Sequence, residues 1–122
     1  MRALVVDDSA AMRRILQKAL EQLGWSVVTA PGTVDAMRLL LAEQFDVLVT
    51  DWHMPDGTGV DLAREIRRLP QSAGLKIVMV TSESTHEALT MALSCGIDDF
   101  IMKPFDTATI QERMTEVMAE GA

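Results

Sequence analysis

Two hydrophobic periods alternate along this chain. One consists of short, nearly unbroken apolar runs: Ala3-Leu4-Val5-Val6, Ser26-Val27-Val28-Thr29-Ala30, Val47-Leu48-Val49-Thr50, Ile77-Val78-Met79-Val80 and Phe100-Ile101-Met102. A short run that is apolar at successive positions, with turn or helix signals on either side, reads as a strand buried on both faces. The other period is three and four. Met12, Ile15, Leu16, Ala19, Leu20 and Leu23 predict an amphipathic helix that Gly24 stops. Val34, Met37, Leu40 and Leu41 predict a second, and Leu62, Ile66 and Leu69 a third that ends before Pro70. Ser84-Thr85-His86-Glu87 has the form of a capping box opening a fourth helix, which runs to about Ser94-Cys95-Gly96. Asp106 is the expected N-cap of a fifth, with Ile110, Met114 and Val117 inward.

Strand and helix thus alternate five times with short connections. That pattern predicts an α/β domain, a parallel sheet with helices on both faces. Four of the five runs end in polar residues suited to chemistry: Asp7 and Asp8, Asp51, Thr81 and Lys103. The Ser26 run ends in Ala30-Pro31-Gly32 and contributes none. Periodicity alone leaves the strand order open. The flavodoxin-like, doubly wound order 2-1-3-4-5 would place the four reactive strands side by side and leave the second at an edge. Polar groups at the carboxyl ends of adjacent parallel strands converge on one crevice, where such sheets bind ligands.

Three carboxylates in one crevice repel one another, and a hard divalent cation relieves that repulsion. Magnesium takes oxygen ligands and few carboxylates. Asp8 and Asp51 are the expected direct ligands, with Asp7 acting through water and a backbone carbonyl just after Asp51, most simply that of His53, completing the set. Lys103 would add a second positive charge and Thr81 a hydroxyl donor to a phosphoryl oxygen. Asp51, on the central strand, is the expected nucleophile.

These residues carry a family resemblance. The pieces Val5-Val6-Asp7-Asp8-Ser9, Asp51-Trp52-His53-Met54-Pro55-Asp56-Gly57-Thr58-Gly59, Val80-Thr81-Ser82-Glu83 and Lys103-Pro104-Phe105, in this order, resemble the receiver domain of two-component response regulators, particularly the single-domain chemotaxis type. The resemblance spans residues 2–120. It implies that Asp51 accepts a phosphoryl group from a histidine kinase or phosphotransfer protein in a Mg²⁺-dependent reaction. Asp7, Asp8, Asp51 and the His53 carbonyl would hold the metal. Thr81 would be the switch hydroxyl and Phe100 the switch aromatic, and the Lys103–Pro104 bond would be cis. The side chains of His53 and Glu83 would tune the phosphoryl lifetime. The surface of the fourth helix, fifth strand and fifth helix would bind a downstream protein, such as a flagellar motor switch component. The domain would signal rather than turn over a substrate, catalysing only its own phosphorylation and dephosphorylation. One departure stands out: the chain has no tyrosine, so Phe100 cannot offer the hydroxyl that a switch tyrosine would.

Bulk properties narrow the field. The 122 residues suit one domain, expected to span 1–122. A net charge of −7 argues against a general nucleic-acid or anionic-membrane surface. No apolar run approaches the ~18 residues that span a bilayer. The single Cys95 cannot form an internal disulfide and reads as a small buried hydrophobe. Met1-Arg2-Ala3 leads directly into a strand pattern, so a cytoplasmic monomer is expected.

Each candidate also has an ordinary structural explanation. Asp7-Asp8-Ser9 could be a strand end and N-cap, Thr81 a strand residue, and Lys103 a solvated charge. His53 and His86 lack any metal-ligand spacing, and their side chains are expected to be exposed. An aspartyl-phosphatase would need a second acid where His53 stands, and a flavodoxin would need a Ser/Thr/Gly-rich phosphate loop where Asp8-Ser9-Ala10-Ala11 stands. The chain's end, Met118-Ala119-Glu120-Gly121-Ala122, leaves no room for an output domain. The expected output is therefore direct contact. The alternatives are a phosphorelay intermediate, a phosphate sink, or a receiver fragment of a larger regulator.

Overall fold

The computed structural model describes residues 1–120. Gly121 and Ala122, which close the expected domain and the chain-end reading, lie outside the described residues. Five strands, Arg2–Val6 (β1), Ser26–Ala30 (β2), Val47–Asp51 (β3), Lys76–Thr81 (β4) and Asp99–Met102 (β5), alternate with five helices, Ala10–Glu21 (α1), Thr33–Ala42 (α2), Gly59–Arg67 (α3), His86–Ser94 (α4) and Thr107–Glu120 (α5). The strands form one parallel sheet in the order β2-β1-β3-β4-β5. This is the expected doubly wound arrangement. Two small elements were not foreseen. His53–Met54 pairs antiparallel with Gly57–Thr58, and Pro70–Ser72 makes one 3₁₀ turn.

The winding follows from right-handed crossovers. The step from β1 to β2 runs one way along the sheet, and the step from β2 to β3 returns. The intervening helices therefore land on opposite faces. Alternate strand residues divide accordingly. Leu4, Val6, Leu48, Ile77 and Met79 pack with α2, α3 and α4. Ala3, Val5, Val47, Val49, Val78 and Val80 pack with α1 and α5. Burying a side chain such as Leu48 or Ile77 contributes about 1.5–3 kcal/mol.

Helix faces differ from expectation in places. Ile15 is 49% exposed on α1, and Val34 and Leu41 are 68% and 58% exposed on α2. Ala36 is the fully buried residue of α2, with Met37, Leu39 and Leu40 packed partly against the core. Leu69 lies past the end of α3 and leads into the Pro70–Ser72 turn. The α4 cap is Thr85 rather than Ser84: its hydroxyl accepts the Ala88 N–H at 3.2 Å. Glu87 then falls at the second helical position, so the reciprocal bond of a capping box does not form. Two expectations hold closely. Gly24, at φ +85°, follows α1, and Asp106 Oδ1 accepts the Thr109 N–H at 2.8 Å.

At the end of the sheet far from the strand carboxyl ends, Arg67 ties α3 to the connections before β4 and before β5. It donates to the carbonyls of Gly96, Ser72 and Leu75 at 3.0, 2.9 and 2.8 Å, and to Asp98 Oδ2 at 2.9 Å. Asp98 Oδ2 also accepts the Ile77 N–H at 2.8 Å. No described helix is long and apolar enough to cross a membrane.

Candidate functional site

The parallel pairing brings the ends of β1, β3, β4 and β5 into one row. Asp7 and Asp8 follow β1, Asp51 ends β3, Thr81 ends β4, and Lys103 follows β5. One carboxylate oxygen from each of Asp7, Asp8 and Asp51 lies within 4.8 Å of the others. Lys103 Nζ donates to Asp51 Oδ1 at 3.3 Å, and the Lys103–Pro104 peptide is cis.

The acids differ in environment. Asp7 is 2% exposed and Asp8 is exposed, while the Asp51 side chain is 14% exposed. Asp7 Oδ1 accepts the Ser9 N–H at 2.9 Å, and Arg13 holds the Asp7 carbonyl at 2.7 Å. Asp7 Oδ2 is buried with no hydrogen-bond partner among the described residues. Burial raises the Asp7 pKa, and the neighbouring charges of Asp51 and Asp8 raise it further; the Ser9 N–H and Lys103 offset part of this. An orphaned carboxylate oxygen facing two further acids is a donor set that fits a hard divalent cation.

Backbone geometry around Asp51 is tightly held. The Trp52 N–H donates to Asp51 Oδ1 at 2.7 Å. Trp52 itself is only 6% exposed and packs into the α2–α3–α4 side of the core. The Gly59 N–H donates to the Trp52 carbonyl at 2.8 Å, and a Cβ at Gly59 would sit 2.2 Å from the Asp51 carbonyl oxygen. Only glycine allows that approach.

Thr81 is 1% exposed, and its hydroxyl accepts the Glu83 N–H at 2.9 Å. His53 Nε2 and Glu83 Oε1 meet at 3.4 Å, a contact between the β3 and β4 loops that one-dimensional spacing does not reveal. The His53 side chain is 69% exposed, and His86 is also exposed, as expected. Phe100 is half-buried against the core on the α4 side, and Cys95 is half-buried.

The sequence reading also missed Asp56. Its carboxylate accepts the Thr33 and Val34 N–H groups at 2.9 and 3.1 Å. The N-cap residue of α2 is Gly32, which has no capping side chain, so Asp56 does that work from 23 residues away. These N–H bonds hold the Asp56 pKa below its ordinary value. A cavity of about 640 Å³ opens beside it between α2 and α3; no acid of the strand-end crevice lines it.

The model of the response regulator receiver domain matches residues 3–115. The chain belongs to this family. Among its relatives, a chemotaxis protein CheY homolog of Campylobacter jejuni is 37% identical over 124 residues, covering 100% of this chain and 95% of that protein. Chemotaxis protein CheY of Pseudomonas aeruginosa is 35% identical over 118 residues, covering 96% of this chain and 95% of the other. The solved structure of chemotaxis response regulator CheY4 of Vibrio cholerae superposes with a TM-score of 0.91 at 28% identity, covering 95% of this chain and 97% of that one. This receiver domain therefore has both the fold and the family that its strand-end residues implied.

Proposed function

We propose that this receiver domain takes a phosphoryl group onto Asp51 from the phosphohistidine of a histidine kinase or phosphotransfer protein. The observation that carries the reading is the cluster of Asp7, Asp8 and Asp51 with Lys103 bonded to Asp51 at 3.3 Å. Asp51 Oδ1 receives the Trp52 and Lys103 donors, which leaves Oδ2 as the attacking oxygen. The phosphorus–nitrogen bond of the donor breaks, a phosphorus–oxygen bond to Asp51 forms, and the imidazole leaves. Mg²⁺, held by Asp7, Asp8, Asp51 and the His53 carbonyl, would neutralise charge on the phosphoryl oxygens. Lys103 supplies positive charge from the β5 side. The Thr81 hydroxyl turns from accepting the Glu83 N–H to donating to the new phosphoryl oxygens.

Phosphorylation adds about −1.5 to −2 charge and strong acceptors to a crevice already rich in carboxylates. Movement of Thr81 frees space for Phe100 and biases the α4–β5–α5 surface toward a partner-binding form. His53 and Glu83, in contact at the mouth of the crevice, tune how fast water removes the group. The names of the relatives support a chemotaxis output, and the partner we propose for it is a protein such as a flagellar motor switch component.

The test is phosphorylation by a small acyl phosphate with Mg²⁺, read by intact mass. Wild type gains one phosphoryl group; Asp51→Asn and a sample in EDTA gain none. Equal gain by Asp51→Asn would overturn the reading.

A further inference from the structure

Beyond β5 the sheet has no further strand among the described residues, and the helices flanking this edge are oriented by three contacts. Arg64 of α3 donates to Cys95 Sγ at 3.2 Å, so the Cys95 flank of α4 faces α3. Leu89 and Leu93, one turn apart, fall by helical spacing on the flank of α4 away from Cys95. On α5, Gln111 donates to the Ala19 carbonyl at 3.0 Å and so faces α1. Arg113 meets Asp99 of β5 at 3.3 Å, and Glu116 and Glu120 share its side of the helix. Phe100 and Met102 alternate with Asp99 and Ile101, and so point to the α4 side.

The result is an apolar strip bordered by acid. Leu93 is 52% exposed and Met102 37%, with Leu89 and Phe100 half-buried beside them. Residues 82–120 contain eight carboxylates and two cations, Lys103 and Arg113; Asp98 is paired with Arg67, Glu83 with His53, and Asp106 caps α5, while Glu116 and Glu120 have no ion-pair partner among the described residues. Both cations are engaged, Lys103 with Asp51 and Arg113 with Asp99. Glu116 and Glu120 repel each other at a spacing of four, which weakens a helix unless a cation lies against them. A second copy of the chain docked symmetrically here would set acid against acid.

We infer that the α4–β5–α5 face binds a cationic amphipathic segment of a partner protein. Its apolar side chains cover Leu93 and Met102, and its Lys or Arg residues meet Glu116 and Glu120. This inference rests on the proposed use of that face for output.

The probes are short amphipathic helical peptides with one leucine stripe and a polar face of either lysine or glutamate. A scrambled lysine peptide of equal charge is the control. Binding is followed by anisotropy at low ionic strength, with the unmodified and the phosphorylated chain. The lysine peptide is expected to bind at least about tenfold tighter than the glutamate peptide. Glu116→Lys combined with Glu120→Lys inverts that preference, and Leu93→Asp weakens the lysine peptide about tenfold. Equal binding of both peptides, no inversion by the charge swap, or equal binding of the scrambled control overturns the inference. Intact mass on the same samples reports the phosphoacceptor reading separately, because the charge preference is also read on the unmodified chain.

Discussion

Lys103 Nζ reaches Asp51 Oδ1 across 3.3 Å, joining two residues 52 positions apart at the ends of β5 and β3. The lysine sets a positive charge directly on the carboxylate of Asp51, beside Asp7 and Asp8. Replacing it removes a preorganised positive charge without removing the acids. Lys103→Met is expected to fold and to bind Mg²⁺, but to gain phosphoryl groups about 10²-fold more slowly. The time course of intact mass checks this, and wild-type rates would refute the assigned role.

Asp7 presents a buried oxygen with no partner among the described residues, and burial and two neighbouring acids raise its pKa. In EDTA near neutral pH its ionised form therefore weakens the fold. Asp7→Asn should melt at a higher temperature than wild type under those conditions, because its amide oxygen still accepts the Ser9 N–H. Added Mg²⁺ should raise the melting temperature of wild type and leave the variant nearly unchanged. A variant less stable than wild type in EDTA would contradict this account.

Asp56 titrates in the opposite sense. Its folded pKa lies below the ordinary 3.8 because the carboxylate accepts the Thr33 and Val34 N–H groups. Its contribution is present above pH 3.8 and is lost as pH falls through the depressed value. Asp56→Ala should lower the melting temperature at pH 7, and the gap from wild type should close in strong acid. Asp56→Asn, which can still cap, should fall in between. A gap that does not change with pH would remove the charge from the explanation.

Arg67 spreads four donor contacts over Gly96, Ser72, Leu75 and Asp98. Truncation leaves the Gly96 and Leu75 carbonyls without that donor, while the Ser72 carbonyl keeps the Leu75 N–H and Asp98 keeps only the Ile77 N–H. Arg67→Ala is expected to cost about 3 kcal/mol in urea unfolding. Arg67→Lys should recover only part of that, since one ammonium cannot span the fork. The folded fraction should still accept phosphoryl groups at the wild-type rate, which separates stability from chemistry.

A methyl at residue 59 would stand 2.2 Å from the Asp51 carbonyl oxygen. Gly59→Ala therefore has to displace the backbone of the proposed phosphoacceptor. A loss of about 1–3 kcal/mol is expected, together with slower phosphoryl gain in the folded fraction. Unfolding curves and intact mass, measured side by side, read the two effects.

Much of this molecule was legible one residue at a time. Five apolar runs, the turn at Gly24 and the cap at Asp106 announce strands and helices through interactions spanning a few residues. The polar residues closing four of those runs mark the crevice, because a parallel sheet carries every strand end to the same side. Contacts between distant segments were not legible in that way. Ile15, Val34 and Leu41 fit a helical stripe as well as their neighbours do, and only the docking of each helix on the sheet decides which side meets the core. Asp56 capping α2, Arg67 joining three segments and His53 touching Glu83 depend on loops brought together by folding. Local periodicity and residue type are enough to set the elements and the chemistry available at the strand ends. Which side chains meet depends on sheet register and crossover geometry, and it is these that leave Asp7 Oδ2 without a partner among the described residues and set Lys103 on Asp51.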